Sequence, residues 1–385
     1  MLYFLFVCAL LSITLFEAVI SLVLIYLSFQ AVRGKLRHGG GLLFPLLLHA
    51  LPVMLSTLLY NPSQLGKAVE RSLFLLSYPL GGLLKVNERS LLGFNLFLLS
   101  AGLLFVPLVL YKYKTTGQPA LLWGGWFEVG ALYTVFALAS LSLFFYSRKF
   151  YYLLPFLLFV GVVFLSMRRS AMLGLAFALA VVMLLSFRHF PKRALLAVFG
   201  VFVVSLGVST ALLVEKDLRY RAVFEVLTGE RTLSDETLNL ISSRRWEIAK
   251  AGIEVVRRDF REGNWLPLLI GHGVNSGYYL EPKSPVGGVY ESVLLISELI
   301  EKGFIGLLFV LWLYWVYLRF LLRFKISERG DYLLLPLLLA LGSHLAGAVF
   351  TFFWDALLPL YLIMFRLVES LKGEPRACEP SPRAG

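Results

Sequence analysis

Predominantly apolar blocks of about twenty residues, the length a helix needs to cross the hydrocarbon core of a bilayer, recur along this chain and leave it few folds to choose from. They lie near 1–29, 42–60, 70–85, 91–111, 121–146, 150–167, 170–187, 194–214, 303–322, 332–350 and 354–369. Within lipid every backbone N–H and C=O must be satisfied by the protein itself, so only helices and closed barrels cross. Apolar and polar residues do not alternate along these blocks, which excludes barrel strands. The expected fold class is therefore all-α, a polytopic integral membrane protein with about eleven transmembrane helices. A break of the first block near Glu17 into a hairpin would add a twelfth. Composition agrees, since 16% of residues are charged where a soluble domain carries about a quarter. The chain opens directly into apolar residues, with no basic leader and no cleavage site, so the first block reads as a membrane helix and not a removable signal. Cys8 lies in that block and Cys378 in a polar tail, so no stapled framework is expected.

The formal charge of +12 would suit a nucleic-acid partner only if it formed a patch, and it does not. Lys and Arg fall in short connections: Arg33, Lys35 and Arg37; Lys85 and Arg89; Arg148 and Lys149; Arg188, Lys192 and Arg193; Arg323, Lys325 and Arg329; and the tail with Arg366, Lys372 and Arg376. If every block crosses once, all of these lie on one side, which the positive-inside rule makes the cytoplasm. Lys112 with Lys114, and Arg168 with Arg169, then stand on the opposite side. So does the long polar stretch 215–302, which translocates regardless of its charge. The expected organisation is an N-terminal bundle of about eight spans over 1–214, an outer loop over 215–302, C-terminal spans over 303–372 and a disordered cytoplasmic tail over 373–385. Within the loop, Leu240, Ile241, Ile248, Val255 and Val256 fall near helical spacing and predict one amphipathic helix from Glu236 to Val256. No internal repeat is visible, which weighs against a transporter built from inverted halves.

No Walker loop, HExxH, paired CxxC or Asp-x-Asp motif is present, and the five histidines are scattered, so neither metal nor cofactor is expected. Three constellations remain. In Ser166-Met167-Arg168-Arg169-Ser170 two guanidiniums sit at the outer end of a span. They read either as side chains snorkelling to the interface or as an anion site, because a guanidinium forks onto phosphate. In the loop, Ser242-Ser243-Arg244-Arg245-Trp246 precedes Gly271-His272-Gly273, which reads as a solvated helix face or as a second part of that anion site. Before the ninth span come Tyr290-Glu291-Ser292, then Glu298, Glu301, Lys302, Gly303 and Gly306. Glu298 and Lys302 are an i, i+4 pair in the favourable order. A polar stripe entering a membrane should face protein and not lipid.

The ordered set of these motifs, over roughly residues 120–322, resembles the O-antigen ligase and O-antigen polymerase family of bacterial envelope glycosyltransferases. The resemblance implies a GT-C-like membrane fold. It implies transfer of a glycan from an undecaprenyl-type polyprenyl diphosphate to a glycan or lipid acceptor at the outer face of the inner membrane, without metal. Arg168 or Arg169, with Arg244 or Arg245, would hold the diphosphate. Gly271, Gly273, Ser292, Glu298, Lys302, Gly303 and Gly306 would support the motifs, and Glu291 with Arg245 would serve catalysis. Ligases of this family carry a histidine eleven residues before the first glycine of Gly-x-x-Gly, where this chain has Ser292. That departure favours a repeat-unit polymerase over a ligase acting on lipid A-core. Arginines can stabilise the charge developing on a diphosphate, and a carboxylate can orient or deprotonate an incoming hydroxyl. The reading of another class is a flippase for lipid-linked oligosaccharides, which would share the apolar bulk but not need the outer loop.

Overall fold

The computed structural model describes residues 1–34, 40–123, 125, 128–187, 189–285, 287, 290 and 293–372. The described residues are helical throughout their ordered elements. The chain runs α1 (Leu2–Leu11), α2 (Ile13–Val32), α3 (Leu43–Tyr60), α4 (Leu65–Leu75), α5 (Leu80–Leu83), α6 (Glu88–Thr116), α7 (Val129–Ser147), α8 (Leu153–Leu165) and α9 (Arg169–Ser186). It continues through α10 (Lys192–Lys216), α11 (Leu218–Leu227), α12 (Asp235–Ser242), α13 (Arg245–Glu262), α14 (Trp265–Ile270), α15 (Leu294–Arg323), α16 (Leu335–Ala348) and α17 (Leu358–Lys372). Among the described residues seven helices are long and apolar enough to cross a membrane: α2, α3, α6, α7, α9, α15, and α16 with the 3-10 turn before it.

The remaining apolar blocks take other forms. Block 70–85 is not one helix: α4 ends at Leu75, a turn follows, and α5 lasts four residues. Gly81 lets α5 sit directly on the backbone of α17 at Ile363 and Leu367, closer than any Cβ permits. Block 150–167 is a 3-10 turn followed by the 13-residue α8, and α17 has 15 residues. α10 is 25 residues long. The first block breaks at Ser12, not at Glu17. Ser12 is extended (φ −162°, ψ 135°), and its hydroxyl accepts from the Leu15 amide to cap α2.

Burial follows the distribution of apolar side chains around each helix. α7 is apolar on every face and is buried over nearly its whole length, as are α16 and α17, so these three form the centre of the bundle. α2, α3 and α15 turn leucines, Phe29 and Trp315 outward, as a lipid-facing surface would. The short connections gather at one end. Gly41 donates to the Glu369 carboxylate, Lys372 pairs with Asp331 at 2.5 Å, and the Arg148 guanidinium lies 5.5 Å from the Phe190 ring. Several of the basic residues counted in the sequence belong to these same connections.

The loop after α10 holds four helices. Asp217 caps α11 and Ser234 caps α12 through their side chains. The single amphipathic helix expected over Glu236–Val256 is divided. Ser243 and Arg244 both adopt left-handed backbone (φ 57° and 66°), so α12 ends and α13 starts afresh in a new direction. Ile248 and Val255 of α13 are buried against Tyr290 and Ile300. α15 begins at Leu294, within the stretch 215–302, and its first segment runs to a kink at Gly303.

Candidate functional site

α15 is two helical segments joined at Gly303, whose backbone (φ 66°, ψ −172°) is available essentially to glycine alone. An unbroken helix would use the Ile300 and Glu301 carbonyls on amides one turn later. Here they accept from His272 (2.8 Å) and Gly273 (3.0 Å). Gly271 (φ 86°, ψ 177°) lies against the backbone of Glu301 and Lys302, and Gly303 against Leu269 and Gly271, with no room for a Cβ on either. Gly273 meets the backbone of Thr57 in α3, whose hydroxyl accepts from Val274. A Cβ on Gly306 would fall on the Lys302 side chain and 3.6 Å from Pro52. The Gly-x-Gly and Gly-x-x-Gly motifs are thus two halves of one backbone joint that fixes the loop to the bundle.

The polar stripe beside this joint is internal. Lys302 donates to the Glu298 carboxylate, which also meets His49 Nε2 of α3 at 3.1 Å, and all three side chains are buried. Glu301 pairs with Arg71 of α4 at 3.5 Å and accepts from the Asn275 amide at 3.1 Å. His272 binds the buried Asp259 of α13 at 2.7 Å. These contacts give Glu298 and Lys302 a structural role as an ion pair holding helices together.

At the end of the bundle away from the short connections lies a cavity of about 620 Å³. The turn between α8 and α9 carries Met167 in left-handed backbone (φ 53°) and presents Arg168 and Arg169 to it. Arg169 donates to the Ile241 carbonyl and, at 2.7 Å, to the Ser243 hydroxyl. Arg219 of α11 donates to that same hydroxyl at 3.0 Å, and Arg245 of α13 donates to the Phe350 carbonyl. The left-handed pair at Ser243–Arg244 is what brings Ser243 and Arg245 to this cavity. Arg244 is absent from its lining and pairs instead with Glu247 at 3.2 Å on an exposed surface. Of the four arginines expected to bind an anion, Arg168, Arg169 and Arg245 therefore converge, and Arg244 does not. Glu291 and Ser292 lie outside the described residues.

Three further charged residues line this cavity that do not belong to the sequence motifs: Arg219, Glu128 and Asp355. Arg168 pairs with Asp355 at 3.7 Å. Asp217 receives the Arg219 side chain at 2.9 and 3.0 Å, and those hydrogen bonds hold its carboxyl below the ordinary range. Glu128, one residue before α7, has its carboxyl raised by burial and then by the neighbouring Asp355. A signal for Asp355 existed, since it is the one acid at the head of the final apolar block, where an ionisable group is costly unless used. Arg219 offered none, because only the fold of α11 brings it to the arginines of α9 and α13. Among the described residues no three His, Cys, Asp or Glu side chains come together as a metal site requires. Chemically, the arrangement offers several guanidiniums converging on one space with two carboxylates in the same lining, which suits a multiply charged anion bearing hydroxyl groups.

No protein-family model matches the chain. It is similar to a protein of Aquifex aeolicus (strain VF5) described as uncharacterized, with 36% identity over 384 residues covering 97% of each chain. Identity of that extent, over the spans and the polar loop alike, places this membrane protein in one family with the Aquifex aeolicus protein.

Proposed function

We propose that this protein is an envelope polysaccharide glycosyltransferase that moves a glycan from a polyprenyl diphosphate to an acceptor hydroxyl, most simply as a repeat-unit polymerase. The observation that carries the reading is the convergence of Arg168, Arg169, Arg219 and Arg245, from three separate elements, on one cavity at an end of a membrane bundle. Guanidiniums gathered in one space attract an anion, and a diphosphate takes parallel hydrogen bonds from guanidiniums at both phosphates. Negative charge grows on the leaving diphosphate in the transition state, and preorganised arginines stabilise it there without a metal. Glu291 remains the proposed partner of the acceptor hydroxyl on sequence grounds. In this reading the bundle is a GT-C-like fold of about eleven spans in the inner membrane. Its basic connections are cytoplasmic by the positive-inside rule, and its cavity opens on the outer side, where a lipid-linked donor arrives laterally.

The test is mass analysis of polyprenyl-linked glycans after deletion of the gene. Accumulated single repeats support the polymerase. Long lipid-linked chains indicate a ligase using another acceptor, the reading that the Ser292 departure disfavours. Repeats stranded on the cytoplasmic face indicate a flippase and would overturn the reading.

A further inference from the structure

The lining of the cavity combines two chemistries. Arg169, Arg219 and Arg245 supply guanidiniums. Glu128 at the head of α7 and, from the segment between α16 and α17, Phe352, Trp354 and Asp355 supply carboxylates and aromatic rings. Asp355 is committed to Arg168. Glu128 has no ion-pair partner among the described residues. Gly125, left-handed at φ +73°, lies so close that a Cβ there would sit 3.2 Å from the Glu128 carboxylate oxygen. The charged and titratable groups acting on Glu128 or answering to it are Asp355, Arg168, Glu17 of α2 and Tyr361 of α17. An aromatic surface beside carboxylates matches the two faces of a sugar. The C–H face of the ring packs on an aromatic side chain, and its hydroxyls donate to acceptor-only carboxylates.

We propose that Glu128, Phe352, Trp354 and Asp355 form an acceptor-sugar subsite, and that Glu128, in place of the Glu291 that the sequence suggested, takes the proton from the hydroxyl that attacks the donor. The proposal rests on the glycosyl-transfer reading above. In the step, the hydroxyl oxygen forms a bond to the anomeric carbon of the donor sugar. The bond from that carbon to the diphosphate oxygen breaks, and its electron pair leaves with the diphosphate toward the arginines. The hydroxyl proton moves to Glu128, so one carboxylate charge is lost as one diphosphate charge is gained. Burial raises the Glu128 carboxyl, which brings it nearer the operating pH, where a general base is most effective.

The test uses the protein in lipid nanodiscs with two probes. Polyprenyl diphosphate measures donor-site binding, and the lipid-linked glycan that accumulates in cells lacking the gene measures turnover. Glu128→Gln is expected to lower kcat by about a hundredfold or more while polyprenyl diphosphate binding stays unchanged. The wild-type rate should fall on acidification as Glu128 becomes protonated, and that limb should vanish in the Gln variant. Trp354→Ala should raise KM for the acceptor without weakening polyprenyl diphosphate binding. Glu128→Asp keeps the charge on a shorter arm, so at equal thermal stability it should recover part of the turnover with a displaced acid limb. Wild-type turnover and pH profile in Glu128→Gln would overturn the proposal, as would Asp doing no better than Gln. Loss of diphosphate binding together with turnover would overturn it too, because Glu128 would then position the arginines. An acid limb removed by Glu291→Gln and not by Glu128→Gln assigns the base to Glu291. Wild-type protein that binds no polyprenyl diphosphate defeats the glycosyl-transfer reading itself.

Discussion

Replacing Gly271 by alanine tests whether the glycine motifs are a mechanical joint or ligand-binding turns. At φ 86° and ψ 177° Gly271 occupies backbone space closed to other residues, and forcing alanine there costs about 1–3 kcal/mol. The new methyl would also fall on the backbone of Glu301 and Lys302, which cannot rotate aside as a side chain can. Relief of that overlap pulls His272 and Gly273 off the Ile300 and Glu301 carbonyls, two hydrogen bonds worth about 1 kcal/mol each. The joint should therefore lose roughly 3–5 kcal/mol. Gly161 of α8, which has open space around it, is the control. Gly161→Ala should be neutral or gain up to about 1 kcal/mol of helix propensity. Thermal unfolding of the two purified variants in the same detergent reads the difference. A Gly271→Ala protein as stable as Gly161→Ala would refute the joint.

Three further outcomes follow from contacts described above. Arg169→Ala and Arg245→Ala should each abolish product and weaken polyprenyl diphosphate binding while the protein stays folded, with lysine rescuing poorly because it lacks the fork; Arg244→Ala, facing outward, should keep activity. In a protein with Cys8 and Cys378 replaced by serine, a cysteine placed at position 230 should react with an impermeant thiol reagent in outer-membrane-permeabilised cells and one at 190 should not, and the reverse pattern would invert the topology. Lys302→Met alone leaves the Glu298 carboxylate buried beside His49 and should cost about 3–5 kcal/mol, whereas Glu298→Leu with Lys302→Met should cost only about 1–3 kcal/mol, for the partner that buried His49 loses, as a double-mutant cycle of thermal stability would show.

The sequence made the helical class and the polar loop legible because lipid permits so little else. Block length and the absence of alternation were enough to identify helices. They were not enough to place breaks. The joint at Gly303 is set by backbone packing on a partner remote in the chain, Gly271, and Ser12 marks a break only by the cap it gives α2, a signal any serine inside an apolar run could carry. The division at Ser243–Arg244 was hidden for another reason: serine and arginine carry no signal for left-handed backbone, and the apolar spacing continues across the break. In the site, Arg168 and Arg169 stood out as charges where the orientation rule disfavours them, and Arg245 stood out as part of the Arg-Arg pair in the loop. Arg219 did not, since it is an ordinary polar residue at a helix start until the elements around the cavity meet, and Glu128, though the one charged residue of its apolar block, had no visible partner. Glu298 and Lys302 were visible as a pair, but their partner His49 is far away in sequence.

The cavity is lined from both parts of the molecule: the head of α7, the α8–α9 turn and the segment before α17 from the bundle, α11 and α13 from the loop. A molecule occupying it would bridge the membrane bundle and the polar loop, and its binding energy would be added by mass action to the work of separating them. A ligand present at a hundred times its dissociation constant should contribute about 2.7 kcal/mol. Melting behaviour would then report occupancy directly, so candidate carriers and acceptors can be ranked by their concentration-dependent protection before any turnover is observed.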